Sequence, residues 1–387
     1  MTTAANRDVL ELARPELRSL IPYSPGRYEP GSVRLNANES PYRAPGDATA
    51  RGLNRYPPPR PEALRKRLAE QYGVAPEELL VTRGSSEAID VLIRAFCAAR
   101  RDAVIISPPT FDMYRLYAGI QGAILVQVPL LRADEPSKDF SLDTANVIAA
   151  LNGRTKLVFI CSPNNPTGMS MNPDEVASIC RAARGRALVV IDEAYMEFSS
   201  GPDFEALRQR YDVVRLRTLS KFVSLAGVRC GALIAAPRLI EFLGNVLPPY
   251  TFPTPSIELV LKALSSDALG ISGERITVLR RERARLAKAL AKVPEITRVW
   301  PSDGNFLLVE TSNAIRFTES ARRSGILVRT FASHTGLKNC VRITVGRPDQ
   351  NDLLLAAVAS AGSQAAIGGS QTAIGGSQAA SEVKENA

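Results

Sequence analysis

One lysine in the sequence stands where carbonyl chemistry could take place. Lys221 lies in RTLSKFVSLAGVRCG, residues 217–231, between a serine and a segment that ends in Gly227, Arg229 and Gly231. The stretch is too apolar and too rich in glycine for an ordinary solvated surface, yet it carries three cationic side chains. A lysine amine can hold an aldehyde as a Schiff base, which makes Lys221 a candidate nucleophile. Taken alone, Lys221 and Arg229 would be better explained as surface charge.

A second group of residues is suited to binding phosphate. Gly84, Ser85 and Ser86 lie where the apolar strand ELLVTRG turns into the helix SEAIDVLIRAFCAA. Backbone N–H groups and the positive end of a helix then point at one spot and attract an anion. A serine that only caps the helix would give the same local pattern, so this motif alone does not distinguish a phosphate site from a plain N-cap.

Two more strands end in polar residues. Asn164 and Asn165, in SPNNPTG, follow the apolar run LVFIC, and Asp192 and Tyr195, in DEAY, close the run ALVVI. A carboxylate after five apolar residues must be paired or exposed, and two asparagines that leave a buried strand need hydrogen-bond partners. A turn and a strand-end cap are the structural alternatives for these two motifs.

The elements that must position these residues alternate between strands and helices. Continuous Val, Ile and Leu runs separated by helices, from ELLVTRG to CGALIAA, are typical of a mostly parallel sheet covered on both faces. Long helices are predicted over roughly 256–293. NFLLVE, GILVRT and CVRITVG then alternate with helices around 313–323 and 349–361, which indicates a smaller α/β domain.

The predicted class is therefore α/β, with four segments along the chain. They are an N-terminal arm (1–34), a large domain (35–250), a small domain (251–361) and a tail (362–387). The tail contains GSQAAIG, GSQTAIG and GSQAASE at a period of seven. Such small polar residues cannot bury enough apolar area to offset the entropy of ordering, so the tail is predicted to be disordered.

The four polar motifs are expected to meet, because ligands bind at the carboxyl ends of the strands in an open parallel sheet. Together they supply a phosphate cradle, hydrogen-bond donors, a carboxylate and an amine. That inventory fits pyridoxal phosphate. The cofactor needs a lysine for its aldehyde, an anion opposite its ring nitrogen, and cationic or N–H groups around its phosphate.

Composition argues against several other functions. The 387 residues are 45% hydrophobic and carry a formal net charge of +9. The basic residues are scattered and no nucleic-acid motif occurs, so the charge suits small anionic substrates at least as well as nucleic acid. His334 is the single histidine, which argues against Ser-His-Asp hydrolysis and histidine-rich metal sites. It is interpreted as a loop or core residue, its role is left open, and no metal site is predicted.

The chain is predicted to be cytoplasmic. It has no run of about 18 apolar residues that could span a membrane, and MTTAANRDVLELARPELRSL carries charges where a secretory signal needs an apolar block. Five widely spaced cysteines without a Cys-x-x-Cys pair indicate reduced thiols, mostly in the core.

Eight motifs occur in order over roughly residues 15–361: LNANESPY, NRYPPP, RGSSEAI, SPPTFDMY, SPNNPTG, DEAYMEF, RTLSKFVSLAGVRCG and CVRITVG. They resemble the motifs of the fold-type I pyridoxal-phosphate-dependent aminotransferases. Within that superfamily the sequence is similar to the histidinol-phosphate aminotransferases. Aromatic amino acid aminotransferases and amino-acid-phosphate decarboxylases share many of these motifs.

The resemblance implies roles around the cofactor ring. Lys221 would be the Schiff-base lysine and the base that moves a proton between the substrate Cα and the cofactor C4′. Asp192 would pair with the pyridinium nitrogen, while Asn165 and Tyr195 would hydrogen-bond the phenolic oxygen. Phe111 would stack on the ring where relatives often carry tyrosine, since stacking needs only the ring face.

The resemblance also implies the ligands of the cofactor phosphate. Ser85, Ser86, Ser220 and Arg229 would hold it. Relatives commonly carry aspartate at the position of Ser86, so the backbone rather than the side chain is expected to make that contact. Tyr56, in NRYPPP, would reach the phosphate bound to the other subunit, which implies a homodimer; a buried loop aromatic held by prolines is the alternative.

The same resemblance predicts the substrate site. Arg342 matches the arginine that grips the acidic group of the substrate, and Arg329 matches one that helps bind the phosphate of histidinol phosphate. Tyr23, in the N-terminal arm, matches a residue that covers the substrate, and Asn38, in LNANESPY, is assigned to substrate binding with them. Either arginine could instead pair with a nearby carboxylate.

The predicted function is transfer of an amino group between L-histidinol phosphate and 2-oxoglutarate, giving imidazole acetol phosphate and L-glutamate. Aromatic amino acid transamination and decarboxylation of an amino-acid phosphate are the enzymatic alternatives. A non-catalytic pyridoxal-binding regulator is the alternative from another class, although such proteins usually carry a DNA-binding module. The predicted partners are small-molecule substrates and a second copy of the chain, with neither nucleic acid nor membrane.

Overall fold

The computed structural model describes residues 8–24, 26, 32–201, 203–331 and 334–371. The strands are β1 (Leu79–Thr82), β2 (Ala103–Ile106), β3 (Ile124–Gln127), β4 (Thr155–Cys161), β5 (Leu188–Asp192), β6 (Val213–Thr218), β7 (Gly231–Ile234), β8 (Ile296–Val299), β9 (Phe306–Thr311), β10 (Arg329–Thr330) and β11 (Cys340–Thr344). The α-helices are α1 (Pro15–Arg18), α2 (Glu62–Tyr72), α3 (Gly84–Phe96), α4 (Met113–Gln121), α5 (Thr144–Ala150), α6 (Pro173–Ala183), α7 (Glu205–Arg210), α8 (Pro237–Val246), α9 (Thr254–Ala263), α10 (Ser266–Leu290), α11 (Ala314–Arg323) and α12 (Pro348–Gln371). Short 3-10 helices occupy Val9–Leu12, Pro76–Glu78, Met196–Phe198 and Thr335–Leu337. In the described ranges no helix is both long enough and apolar enough to cross a lipid bilayer.

Seven of the described strands form one sheet in the order β1-β7-β6-β5-β4-β2-β3. β7 runs antiparallel to both of its neighbours, and the other adjacent pairs are parallel. β4 and β5 pair so that Cys161 is opposite Asp192, which places the carboxyl ends of these strands side by side. The predicted α/β class with a mostly parallel sheet is confirmed.

The central strands are buried because their sequences are apolar on both faces. Every residue of β2, β5 and β7 is buried. Ile89, Leu92 and Phe96 of α3 are 0% exposed and belong to the same core cluster as residues of the strands. Complete burial of one such side chain contributes roughly 1.5–3 kcal/mol, so this core holds the strand ends in fixed positions.

Two glycines let β7 approach the start of α3. A Cβ on Gly231 would lie 2.7 Å from the carbonyl oxygen of Arg217 and 2.9 Å from the Cα of Gly84. Gly84 itself has a φ of +73°, a left-handed conformation that glycine adopts without steric strain. The first turn of α3 can therefore lie against the sheet only because neither position carries a side chain.

The described chain divides into two compact units. The first consists of the residues up to Val278 together with Pro301–Asn305, and the second consists of Leu279–Trp300 together with the residues from Phe306 onward. The second unit therefore begins later than the small domain expected from residue 251. The predicted domain boundaries stay a prediction.

The second unit is built on a four-stranded antiparallel sheet in the order β10-β11-β9-β8. Its core contains Val309 of β9, Val341 of β11, Phe317 of α11 and Leu354 of α12, all buried. Helix α12 continues to Gln371, inside the segment 362–387 for which the sequence predicts disorder. Extension of an existing helix costs less than its nucleation, which accounts for the continuation. Residues 372–387 lie outside the described residues.

Candidate active site

A cavity of about 160 Å³ lies at the carboxyl ends of β4, β5 and β6 in the first unit. It is lined by Ser85, Ser86, Phe111, Cys161, Asn165, Asp192, Ala194, Tyr195, Thr218, Ser220, Lys221, Ala226 and Arg229. Parallel neighbours end at the same edge of a sheet, so residues far apart in sequence meet there. Every residue predicted to bind the cofactor, except Tyr56, is in this lining.

Asp192, the last residue of β5, is the buried carboxylate of the cavity and is 1% exposed. The Tyr114 hydroxyl donates to its Oδ2 at 2.9 Å, and the Ala194 amide donates to its Oδ1 at 3.1 Å. Burial raises the pKa of Asp192 from 3.8 to about 6 in spite of these hydrogen bonds. A cation placed against this carboxylate would offset the cost of its burial, so the position suits a protonated ring nitrogen.

Lys221 follows β6 and lines the same cavity. Its Nζ lies 5.6 Å from the centroid of the Tyr195 ring. Asn165 Nδ2 donates a hydrogen bond to the Tyr195 hydroxyl at 3.3 Å. An amine that can bind an aldehyde thus lies beside a phenol and an amide that can bind an oxygen of the ring.

The predicted phosphate ligands surround the first turn of α3. Arg83, the N-cap residue, gives no side-chain hydrogen bond to the first amides of this helix. Arg229 Nη1 lies 3.5 Å from Ser220 Oγ and 3.2 Å from the Ala226 carbonyl oxygen, and donates to both. A Cβ on Gly84 would lie 2.8 Å from Arg229 Nη2, so the glycine makes room for the guanidinium. A cation, hydroxyls and the amides of a helix start together form an anion site.

Phe111 contributes an aromatic wall. Its ring is half-buried and meets the Tyr114 ring edge-on, with centroids 5.7 Å apart and an interplanar angle of 85°. Tyr114 in turn stacks on Phe159 of β4, with centroids 4.7 Å apart and an angle of 13°. The Phe111 ring is therefore supported from behind, as a residue that stacks on a flat ligand requires.

The two adjacent asparagines of SPNNPTG have different surroundings. Asn164 Nδ2 donates to the Pro109 carbonyl oxygen and to Thr167 Oγ1, both at 2.9 Å, and Asn164 Oδ1 accepts from Thr110 Oγ1 at 2.9 Å. These contacts fix the loop. Asn165 lines the cavity, whereas Asn164 does not.

The chemistry of this lining fits pyridoxal phosphate. Among the described residues, no arginine or lysine forms an ion pair with the buried carboxylate of Asp192, so a pyridinium would supply a missing partner. Lys221 provides the amine for the aldehyde, and the Arg229 region provides the anion site. The residues present would therefore satisfy each polar group of this cofactor.

Tyr23, Asn38 and Tyr56 lie in the first unit but outside the cavity lining. Tyr56 and Tyr23 are 52% and 65% exposed. Both rings contact Tyr250, at centroid distances of 4.8 and 6.5 Å. The Tyr56 amide donates to Glu39 Oε1 at 2.7 Å, and Asn38 beside it has a φ of +54°. The alternative that Tyr56 is a buried loop aromatic disagrees with its exposure of 52%.

Arg329 and Arg342 belong to the second unit, where they are cross-strand partners on β10 and β11. Directly opposite residues of an antiparallel pair project to the same face, so two guanidinium groups share one face. The Arg342 guanidinium lies 5.5 Å from the Phe306 ring and 6.0 Å from the Phe331 ring. Like charges directly opposite each other on neighbouring strands repel, and an acidic ligand bound to both would relieve that repulsion.

His334 precedes the 3-10 helix Thr335–Leu337 and is half-buried. Its Nδ1 is buried and has no hydrogen-bond partner among the described residues. The expectation of a loop histidine agrees with this position, and its role is still open.

Several lining or supporting residues were missed at the level of sequence: Cys161, Thr218, Tyr114 and Tyr250. Thr218 Oγ1 lies 2.9 Å from Ser220 Oγ, and its place as the last residue of a strand was the available signal. Tyr114 stands three residues after Phe111 in SPPTFDMY, at the turn that leads into α4, where its amide donates to the Phe111 carbonyl oxygen at 3.3 Å. For Tyr250 the sequence carries no comparable signal.

Comparison with known proteins assigns the chain to a class. Residues 26–358 match the family described as aminotransferase class I and II, and the chain belongs to this family, whose members depend on pyridoxal phosphate. Over 367 residues it is 44% identical to the histidinol-phosphate aminotransferase of Xanthomonas campestris pv. campestris (strain 8004), covering 92% of this chain and 98% of that relative. Within the family it therefore groups with the histidinol-phosphate aminotransferases.

Solved structures agree at the level of the fold. The histidinol-phosphate aminotransferase from Sinorhizobium meliloti in complex with pyridoxal-5'-phosphate superposes with a TM-score of 0.70 at 23% identity, covering 80% of this chain and 83% of that one. The L-threonine-O-3-phosphate decarboxylase from Porphyromonas gingivalis superposes with a TM-score of 0.66 at 22% identity, covering 80% and 90%. The scaffold is therefore shared by enzymes named for different reactions.

Proposed function

We propose that this protein transfers an amino group between L-histidinol phosphate and 2-oxoglutarate, forming imidazole acetol phosphate and L-glutamate. The observation that carries the proposal is the meeting of Lys221, Asp192 and the anion site around Arg229 in one cavity. The 44% identity to a histidinol-phosphate aminotransferase supports the choice of substrate. The first observation concerns the chemistry of one cavity, and the second concerns similarity along the chain.

When bound, pyridoxal phosphate supplies an aldehyde that takes up the amino group and a protonated ring that withdraws electrons. Asp192 would hold the proton on the ring nitrogen. Lys221 would provide the amine for the aldehyde and the base for proton transfer between the substrate Cα and the cofactor C4′. Asn165 and Tyr195 would hydrogen-bond the phenolic oxygen, and Phe111 would cover the ring face.

The substrate is held by charge. Histidinol phosphate carries a phosphate and no carboxylate, whereas glutamate carries two carboxylates, so the site must accept acidic groups of different shape. The shared face of Arg329 and Arg342 offers two guanidinium groups, which match both phosphate and carboxylate. Tyr23 and Asn38 keep the assignment to substrate binding that the resemblance gives them.

The active unit in this proposal is a homodimer, in which Tyr56 reaches the phosphate bound by the partner subunit. The exposure of Tyr56, together with its position outside the cavity of its own chain, supports this assignment. Mixed dimers of Lys221→Ala and Tyr56→Ala chains would contain one intact site. An equal mixture should therefore recover about a quarter of the wild-type activity, since half of the dimers are hybrids with one of two sites intact. No gain on mixing would mean that each chain builds its complete site alone.

The choice of substrate is tested by steady-state kcat/KM with a panel of amino donors and 2-oxoglutarate. Histidinol phosphate should give the highest value. A preference for phenylalanine or tyrosine would replace the proposal with aromatic transamination, and release of carbon dioxide from an amino-acid phosphate would replace it with decarboxylation. Cofactor binding without turnover of any donor would favour the regulator.

A cytoplasmic location belongs to the same proposal. All five cysteines are buried free thiols, as expected in a reducing compartment. Cell fractionation tests it, and recovery of the protein with an oxidising compartment would contradict it.

A further inference from the structure

A tyrosine outside the list of cofactor ligands contacts the carboxylate at the centre of the site. Tyr114, on α4, is 0% exposed, and its hydroxyl donates to Asp192 Oδ2 at 2.9 Å. The two residues are 78 positions apart in the chain. Tyr114 is absent from the cavity lining, so it can influence a bound ligand through lining residues that it contacts, and Asp192 is the one to which it donates.

The Tyr114 ring is fixed on two sides. It stacks on Phe159 with centroids 4.7 Å apart, and it meets Phe111 edge-on at 5.7 Å. Cys161, two residues after Phe159 on β4 and so on the same face of the strand, also interacts with the Tyr114 hydroxyl. With its ring held this way, the hydroxyl keeps one direction, and that direction is toward Asp192.

The surroundings of Asp192 leave its charge poorly supported. Burial disfavours the carboxylate, and so does the neighbouring Glu193; Tyr114, the Ala194 amide and Lys221 favour it. Within the described part of the chain, Tyr114 is the only side chain that donates a hydrogen bond to Asp192. Tyr114 and Ala194 each take one carboxylate oxygen, which fixes the plane of the carboxylate group.

We propose that Tyr114 is a positioning residue, which keeps the Asp192 carboxylate ionised and oriented so that Asp192 can hold the proton on the pyridine nitrogen of bound pyridoxal phosphate. Without the hydroxyl, this buried carboxylate would lose the hydrogen bond that a side chain donates to it. Its protonated form would then become more favourable, and the pyridine nitrogen would lose its anion. The inference rests on the assignment of Asp192 to the ring nitrogen.

The test is nitrogen-15 NMR of holoenzyme reconstituted with pyridine-labelled cofactor, followed through a pH titration. Tyr114→Phe keeps the aromatic packing and removes only the oxygen. A hydrogen bond to a charged group corresponds to a shift of roughly one to two pH units. The pH at which the pyridine nitrogen loses its proton should therefore fall by that amount in Tyr114→Phe. With a donor such as histidinol phosphate, kcat should fall on the order of tenfold while KM changes less.

Two further variants make the result decisive. Tyr117→Phe removes a half-buried phenol one turn along the same helix and should leave the titration unchanged. Asp192→Asn should lower the midpoint more than Tyr114→Phe does. If Asp192→Asn shifts the midpoint and Tyr114→Phe does not, Tyr114 is only a core residue and the inference is wrong. If Asp192→Asn has no effect either, the assignment of Asp192 itself fails.

The fold of Tyr114→Phe is checked by its melting temperature and cofactor content. Should that variant not retain the cofactor, Tyr114→Met takes its place, because the flexible methionine side chain fills irregular space without a donor. The same fall in the midpoint is expected, and an unchanged midpoint in Tyr114→Met would overturn the inference.

Discussion

Asp192 and Glu193 are adjacent and almost fully buried, at 1% and 0% exposure, but they belong to two different environments. Glu193 accepts from Arg215 Nε at 2.8 Å and from Arg217 Nη1 at 3.5 Å. Asp192 accepts from a hydroxyl and an amide, and no guanidinium of the described residues pairs with it. We call the first environment the arginine cluster, made of Glu193, Arg215 and Arg217, and the second the cofactor cavity.

The difference separates charges that stabilise the fold from charges reserved for a ligand. A buried ion pair that is complete within the chain gains nothing from a ligand, and breaking it leaves an uncompensated charge. A buried carboxylate without a cation is unfavourable until a cation arrives. Changes in the arginine cluster should therefore act on stability, and changes in the cofactor cavity should act on binding and turnover.

The largest effect is expected in the cofactor cavity. Lys221→Ala should abolish transamination and the visible absorbance of the bound cofactor, because no other group in the lining provides an amine for the aldehyde. Lys221→Arg should fail as well, since a guanidinium stays protonated and cannot attack a carbonyl. Lys138→Ala, at an exposed lysine, is the control. Full activity in Lys221→Ala would end the aminotransferase proposal.

The arginine cluster should show the opposite behaviour. Glu193→Gln leaves Arg215 and Arg217 short of a buried partner, and breaking such a pair costs about 3–5 kcal/mol. The loss should lie at the lower end, because Arg215 keeps Asp203 at 2.9 Å. Urea unfolding measures it, and the folded fraction should retain the cofactor. Loss of cofactor without loss of stability would contradict the distinction between the two environments.

Removing the charge of Asp192 should stabilise the apoenzyme against unfolding. Its folded pKa of about 6 is above its ordinary value of 3.8, so the folded state binds the proton more tightly than the unfolded state. The free energy of unfolding therefore falls as pH rises from about 4 to about 6 and then stays low. The free energy of unfolding of apo Asp192→Asn should be higher than that of apo wild type by up to about 3 kcal/mol at pH 8. The two values should be equal near pH 4.

Thermal melts of both apoproteins across this pH range provide the measurement. In the holoenzyme the advantage should disappear, because wild-type Asp192 then has its pyridinium partner. Equal melting temperatures of the two apoproteins at pH 8 would show that Asp192 is compensated within the chain.

The arginine pair of the second unit should give the smallest effect. Arg329→Ala removes one charge-assisted contact, which contributes roughly 1.5–3 kcal/mol, so kcat/KM for histidinol phosphate should fall on the order of 10- to 100-fold. An aromatic amino acid, whose single carboxylate is assigned to Arg342, should lose much less. Arg342→Ala should affect both donors, and Arg323→Ala, an exposed arginine of the same unit, should affect neither. Unchanged turnover of histidinol phosphate in Arg329→Ala would rule out its phosphate as the ligand of this residue.

The sequence was sufficient for the sheet and for most of the cofactor cavity. Strands such as LVVID are apolar on both faces, so local composition alone indicates a buried parallel strand, and the topology of such a sheet brings its carboxyl ends together. The sequence alone therefore predicts that Lys221, Asp192 and Arg229 lie at one site. Residue type alone does not show that Glu193, in the same motif, pairs with arginines while Asp192 lines the cofactor cavity.

The tertiary structure alone decided which partner each buried charge has. The Tyr114 hydroxyl finds Asp192 across 78 positions, and the strand pairing that puts Arg329 beside Arg342 involves a strand of only two residues. Neither contact leaves a periodic signal, because hydrogen bonds of side chains depend on distances between elements and not on the pattern within one. Local sequence determines which residues are buried and where a strand ends. Only tertiary packing determines whether a buried charge is paired within the chain or is paired when a ligand binds.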